Sequence, residues 1–245
     1  MTGATRLHFP NGQLFAPWDM VVELAESIDT DSWVLVGGLM VQAHAMMADV
    51  VSRATKDVDL LIDVFADTTN IEYVISSLQS IGFELHLPGL RGAPFHRLKR
   101  NEGIVDVLVA DHLPSRKQKA SRVGRFGLLE IIGGAQALDR RMEIGVSTQA
   151  GLVSFYIPNN LGSLILKAAA YRSDTRDRRR HLDDCALLAS LIMDIDGALA
   201  QLRGSDRRRI NLVNEVLKDP RHPSWGHLPN SHRLRGQRVL RILSS

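Results

Sequence analysis

Two rhythms of apolar and polar positions divide this chain. Residues 17–28 carry Met20, Val21, Leu24 and Ile28 at helical spacing, which predicts an amphipathic helix. The run 32–36 (SWVLV) predicts a buried strand ending at Gly37-Gly38, and the pattern after it predicts a helix over about 39–48. A second strand is expected at 56–63, where Asp57, Asp59, Leu61 and Asp63 alternate with Val58, Leu60 and Ile62. Further on, 70–80 reads as a helix, and 83–87, 95–100, 103–109, 140–148 and 153–157 read as strands. From Pro158 the helical period takes over. Helices are expected from Asn159 to Tyr171, over 179–193, 195–203 and 206–218, and from 231 to 243. The pattern predicts an α/β fold, with a mixed α/β part over 1–157 and a helical subdomain over 158–245.

Composition narrows the class without naming it. The 245 residues are 44% hydrophobic and 23% charged, as expected for a folded globular chain rather than a disordered one. Aromatics are only 5%, which argues against a sheet that stacks nucleic-acid bases. A single cysteine, Cys185, excludes an internal disulfide, and no stretch approaches a membrane span. The N-terminal residues lack an apolar run of the signal-peptide kind, so a cytoplasmic location is expected. Charge is unevenly spread. Positions 203–245 hold ten Arg or Lys against three Asp or Glu, a balance of +7. With a net charge of +3, that leaves −4 on the other 202 residues. Such a tail suits a polyanionic partner, and it suits an arginine-rich solvated helix face equally well.

The chemistry-bearing pattern begins at the second strand. Its alternation gathers Asp57, Asp59 and Asp63 on one face, and carboxylates held so close repel one another unless a cation sits between them. Mg²⁺ is the natural candidate, since it takes oxygen ligands and keeps waters that a phosphate can displace. Asp106 is the lone charge in the otherwise apolar strand 103–109. If that strand lies beside 56–63, Asp106 completes a three-carboxylate cluster suited to in-line phosphoryl displacement. The Gly37-Gly38 turn offers backbone amides to phosphate oxygens, and Arg53, Thr55 and Lys56 lead into the acidic strand. Each motif alone has an ordinary structural explanation; the ordered set of strand, Gly-Gly, helix, D-x-D strand and lone-Asp strand is far more specific.

Lys167 is the only charge between Pro158 and Tyr171, at the edge of an apolar stripe, where a snorkelling lysine also fits. On the helix 179–193, Asp184 projects into the middle of the leucine face and needs a partner, whereas Asp183 projects away. Lys167 is the nearest cation in sequence logic, and a plain helix–helix ion pair is the competing explanation. The run Arg176, Arg178, Arg179, Arg180 lies between these helices and suits a triphosphate, an RNA backbone or bare solvent. His222, His227 and His232 recur at five-residue steps, but no cysteine accompanies them and prolines intervene, which argues against zinc.

The sequences VLVGGLMVQAHA, SRATKDVDLLID and GIVDVLV, in that order, resemble the nucleotidyltransferase superfamily, and more narrowly the AbiEii-type toxin nucleotidyltransferases that include the MenT toxins. Residues 53–59 fit that family's R-x-T-x-D-x-D strand position by position. Gly38 stands where many superfamily members have serine. LGSLILKAAA resembles the family's lysine-bearing helix. The following K-D-x-x-D pattern is matched only in part, with His181 at its first aspartate and Asp184 at its second. The resemblance spans roughly 32–192. It implies a nucleotidyltransferase-type mixed sheet with flanking helices, and transfer of a nucleoside monophosphate from an NTP. It implies Asp57, Asp59 and Asp106 as metal ligands, with Lys167 and Asp184 also in the catalytic set. Gly37, Gly38, Arg53, Thr55 and Lys167 would then bind nucleotide. It further implies a bacterial toxin with tRNA as acceptor and a cognate antitoxin as partner. Two alternatives stand beside it: transfer to a small molecule or a protein hydroxyl, and a non-catalytic nucleotide- or nucleic-acid-binding regulator of the same fold.

Overall fold

The structure is a computed structural model that describes residues 5–9, 12–90, 92–149, 151–175 and 177–245. Its first half builds a mixed sheet. After a short strand β1 (Thr5–Leu7) come α1 (Trp18–Ser27), β2 (Trp33–Val36), α2 (Gly37–Met47), β3 (Asp57–Ile62) and α3 (Asn70–Ser80). They are followed by β4 (Glu84–His86), β5 (Arg97–Arg100), β6 (Gly103–Ala110), α4 (Ser115–Ala120), β7 (Arg122–Val123), β8 (Phe126–Gly127) and β9 (Leu129–Ile131). α5 (Gly134–Leu138), β10 (Arg141–Thr148) and β11 (Gly151–Pro158) complete the α/β part. The principal sheet has the order β2-β3-β6-β5-β4, with β9 joined to β6; β1, β10 and β11 form a second sheet. β11 lies near β2, where Phe155 stacks on Trp33 with ring centroids 6.0 Å apart.

β2 is apolar at every position and wholly buried, so it forms a strand covered on both faces. β3 differs from its expected one-sided alternation. Leu61 lies on the carboxylate side of the strand and is fully buried, because packing closes over that face beyond Asp59. Asp63 lies past the strand end and accepts the amides of Phe65 and Ala66 at 3.0 Å, so it builds a turn rather than joining the acid cluster. Residues 110–139, which carry little periodic signal, fold into α4, α5 and three strands of two or three residues.

The helical part comprises α6 (Asn160–Ser173), α7 (Arg178–Leu191), α8 (Ile195–Gln201), α9 (Asp206–Leu217) and α10 (Asn230–Ser244). Asn159 starts α6 by accepting the Gly162 amide at 2.9 Å, and Asp177 starts α7 in the same way from Arg180. One hydrophobic core runs through both parts and includes Leu35, Val58, Val107, Leu164, Leu188 and Val239. The basic C-terminal segment is folded into that core: Ile210, Val213, Leu217, Val239, Leu240 and Leu243 are buried. Arg140 and Asp206, both buried, pair at 2.8 Å and tie the start of α9 to the α/β part. The segment 203–245 is therefore not a detachable tail, and cutting it off would open the core.

Candidate active site

One register row across the principal sheet assembles the acidic site. Val36 on β2 lies opposite Asp59 on β3, Asp59 opposite Asp106 on β6, and Asp106 opposite Arg97 on β5. Side chains in one row of adjacent strands project from the same face, so the two aspartates and the arginine converge. Asp57, two residues before Asp59, shares that face. Asp57, Asp59 and Asp106 each offer a carboxylate oxygen, and these oxygens lie within 4.8 Å of one another.

Three neighbours fit this row tightly. Gly37 follows β2 directly, at φ +70°, and begins α2 itself rather than ending a turn before it. A Cβ at Gly37 would overlap the Asp59 carboxylate, so only glycine fits, by backbone conformation and by space. At Gly38 a Cβ would sit 2.7 Å from Thr55 Cβ and Oγ1. Thr55 in turn donates its hydroxyl to Asp57 Oδ1 at 2.7 Å, and so orients that carboxylate. The two glycines therefore let the N-terminus of α2, whose first amides have no partner within the helix, approach the acids at van der Waals distance.

A second cluster stands beside the first. Lys167 on α6 pairs with Asp184 on α7 at 2.7 Å, and both are buried, at 5% and 2% exposure. Arg53 closes on the same carboxylate with two bonds, Nε to Oδ1 at 3.0 Å and Nη2 to Oδ2 at 3.2 Å. Asp184 is thus shared by two cations, and burial explains why Lys167 does not snorkel. Gln42 fixes this arrangement from α2: it donates to the Arg53 carbonyl at 2.9 Å and accepts the Trp18 indole N–H at 3.1 Å. His44, two residues further along α2, meets the Pro158 carbonyl at 2.8 Å and Ser163 Oγ at 3.0 Å, and so locks the lysine helix to the glycine helix. Burial pushes His44 down to about 4 against the opposing pull of that carbonyl, so it is neutral and its Nε2–H donates to the carbonyl.

The electrostatics connect the two clusters. Burial pushes Asp59 up to about 7, helped by the charges of Asp57 and Asp106, while Lys167 and Arg180 pull the other way. Burial acts to raise Asp184 too, but Lys167 and Arg53 outweigh it and hold that carboxyl below the usual range. Asp106 is gripped by Arg97, with Nε on Oδ1 and Nη2 on Oδ2, both at 2.7 Å. Each carboxylate oxygen has a further lone pair, so this fork leaves acceptor capacity facing Asp57 and Asp59. A carboxyl pushed up to about 7 amid two more carboxylates fits a hard cation with oxygen ligands, which would relieve that repulsion. The triad can hold a metal ion.

No family model matches the chain, nor does any curated protein or solved structure. The reading of the site therefore rests on its own geometry.

Of the residues expected from sequence, the structure brings together Gly37, Gly38, Thr55, Asp57, Asp59 and Asp106, with Arg53, Lys167 and Asp184 alongside. It corrects several details. Arg53 is engaged with Asp184 rather than open toward the glycine turn, and Thr55 is spent on Asp57. Asp183 does not point freely outward: its Oδ1 is enclosed without a partner, on a helix that α6 and α10 both pack against. Cys185 is a buried core residue, and burial pushes its thiol up. His222 accepts the Ser224 amide at 3.2 Å as a turn cap. Arg176 lies outside the described residues. Arg97 and Gln42 were not anticipated. The RLKR of β5 reads as ordinary edge-strand charge, and Gln42 as one polar residue on a helix; their partners lie 9 and 11 residues away, beyond any periodic signal.

Asp59 carries a pH signature. A carboxyl raised in the folded state stabilises the fold fully below the unfolded value near 4, and that stability is lost as pH rises through about 7. His44, lowered by burial, works oppositely: its contribution is present above the unfolded value near 6.5 and lost as pH falls. In metal-free buffer the melting temperature of the wild type should therefore fall from about pH 4 to 7 relative to Asp59→Asn, and level off above that. Divalent cation should remove that fall. Parallel melting curves for the two proteins over this range would refute the assignment.

Proposed function

We propose that this chain is a Mg²⁺-dependent nucleotidyltransferase of the nucleotidyltransferase-type fold. It would move a nucleoside monophosphate from an NTP to an acceptor hydroxyl and release pyrophosphate. The observation that carries this reading is the Asp57–Asp59–Asp106 cluster facing the glycine-led N-terminus of α2. Carboxylates alone would repel a triphosphate. Carboxylates beside helix-terminal amides and an anchored lysine suit a triphosphate that arrives with its own cation.

In this reading Asp57 and Asp59 hold Mg²⁺, and Asp106 supplies the third carboxylate. The bound ion would offset charge on the α-phosphoryl group and on the leaving oxygen. Thr55 and Arg97 keep two of the ligands in place. The amides of Gly38 and Leu39, at the start of α2, receive phosphate oxygens. Lys167, fixed by Asp184, adds a positive charge beside Asp59. The acceptor oxygen bonds to the α-phosphorus as the bond to the β-phosphate oxygen breaks. Pyrophosphate carries away the bonding electrons, and the acceptor's proton passes to Asp106 or to solvent.

A polyanionic acceptor is supported by exposed arginines on the C-terminal helices, Arg207 and Arg208 on α9 and Arg238 and Arg241 on α10; tRNA as that acceptor, and the part of a toxin with an antitoxin partner, rest on the sequence resemblance alone. Among the described residues no helix is long and apolar enough to cross a membrane. The test is incubation with Mg²⁺, total tRNA and each NTP labelled in turn at the α- or the γ-phosphate. Label from the α position, and not from γ, should enter RNA. Label entering protein or a small molecule instead would retain the transferase and replace the acceptor. Bound nucleotide without turnover would leave the non-catalytic reading.

A further inference from the structure

Three arginines open α7, and they are not equivalent. Arg178 folds back onto α6: its Nε donates to the Tyr171 carbonyl at 3.0 Å and its guanidinium lies 4.2 Å from the Tyr171 ring centroid. Arg179 is exposed. Arg180 stands one turn before Asp184 on the same helix face, at i and i+4. It is not recruited by Asp184, whose oxygens are already bonded by Arg53 and Lys167. Its Nη2 instead meets Asp174 Oδ2 at 2.6 Å, just past the end of α6, and His181 Nε2 approaches the same oxygen at 3.3 Å. The Arg180 Nε–H is enclosed and has no hydrogen-bond partner.

An arginine donor buried without an acceptor costs free energy that a ligand oxygen would recover. Arg180 is therefore a guanidinium held by one hydrogen-bonded carboxylate oxygen while part of its fork is unspent. It also lies one turn of α7 before Asp184, the carboxylate that Lys167 and Arg53 share beside the acid cluster. Arg53 offers the contrast: its Nε and Nη2 are both committed to the buried Asp184 carboxylate. Arg180 can exchange Asp174 for a phosphate oxygen at little cost, because one charge-assisted bond replaces another and Asp174 keeps His181 nearby.

We propose that Arg180 binds the β- and γ-phosphates of the incoming nucleotide and retains the departing pyrophosphate, with Asp174 as its resting place. The proposal rests on the nucleotidyltransferase reading and assigns the end of the triphosphate to the α6–α7 junction. It makes Arg180 the residue that distinguishes a triphosphate from a monophosphate.

The experiment uses inorganic tripolyphosphate with Mg²⁺ as a base-independent probe, titrated calorimetrically into the full-length wild type, Arg180→Ala and Arg180→Lys. Transfer kinetics are measured on the same samples. Arg180→Ala should weaken tripolyphosphate binding roughly 10- to 100-fold, the range lost with a charge-assisted hydrogen bond. KM for the NTP should rise by a similar factor, with a smaller change in kcat. Arg180→Lys, which keeps the charge and loses the fork, should recover part of both. Asp174→Asn frees Arg180 and should tighten the probe or leave it unchanged. Unchanged tripolyphosphate affinity in Arg180→Ala, with wild type binding and active, overturns the proposal and leaves the enzyme reading intact. Equal losses in kcat and KM with a lowered melting temperature and no rescue by lysine also overturn it, as a merely structural tie. A wild type that neither binds the probe nor transfers label overturns both.

Discussion

Asp59→Asn should lower nucleotidyl transfer by roughly 10³-fold or more while the metal-free protein melts no lower than the wild type at pH 8. The two effects have one cause. Asparagine fills the same volume beside Gly37, where there is no room for anything larger, but it removes one of three charges in the cluster. Phosphoryl transfer depends mostly on placing and neutralising charge, so a lost metal ligand falls on the rate. The fold gains, because Asp59 is pushed up to about 7 by burial and by Asp57 and Asp106, and a neutral side chain ends that conflict. Asp57→Asn should match the loss of rate, and its amide oxygen can still accept the Thr55 hydroxyl. Wild-type turnover by either variant in saturating Mg²⁺ would remove that residue from the catalytic centre.

Asp184→Asn should instead be paid in stability. Asp184 is 2% exposed and bonded by both Lys167 and Arg53. Neutralising it leaves two cations facing each other, with the Lys167 ammonium buried. Breaking a buried pair in this way costs roughly 3–5 kcal/mol. For a chain of this size each kcal/mol moves the melting temperature by about 2–4 °C, so a fall of about 6–20 °C is expected. Lys167→Met is milder for the fold, since the Arg53 fork still covers Asp184. It should nevertheless lose most transfer, because a positive charge beside Asp59 is gone. The double variant separates the roles. A helix–helix tie alone would return both melting temperature and transfer toward wild type. A lysine that serves the triphosphate would return stability and leave the protein inactive.

Much of this architecture was legible from periodicity. β2, β3 and β6 announce themselves as apolar runs, and charges that interrupt such runs, Asp57, Asp59 and Asp106, mark one face by alternation alone. Parallel pairing of β3 with β6 then sets Asp59 beside Asp106. The Lys167–Asp184 contact was legible for the same reason, as two charges on apolar helix faces. Partners set by long-range packing left no such trace. Arg97 belongs to a charged strand that reads as an edge, and its role appears only when β5 pairs with β6 inside the sheet. Arg53 reads as part of a phosphate-directed motif, yet its partner lies 131 residues on. The C-terminal arginines suggested a free basic tail because charge dominates their composition. The buried rows on α9 and α10, and the Arg140–Asp206 pair beneath them, show helices docked by a minority of apolar positions. Asp183 was misjudged because a single-helix projection assumes one open face, whereas α7 is packed by α6, α9 and α10.

The central claim is that the three carboxylates form a divalent-cation centre that receives a triphosphate. Diffraction from crystals grown with Mn²⁺ and a non-hydrolysable NTP analogue, recorded at the manganese absorption edge, tests it most directly. The account predicts an anomalous peak about 2.1 Å from carboxylate oxygens of Asp57 and Asp59, with Asp106 alongside and phosphate oxygens completing the shell. Nucleotide bound elsewhere, or bound at α2 with no anomalous peak among the three aspartates, would contradict it.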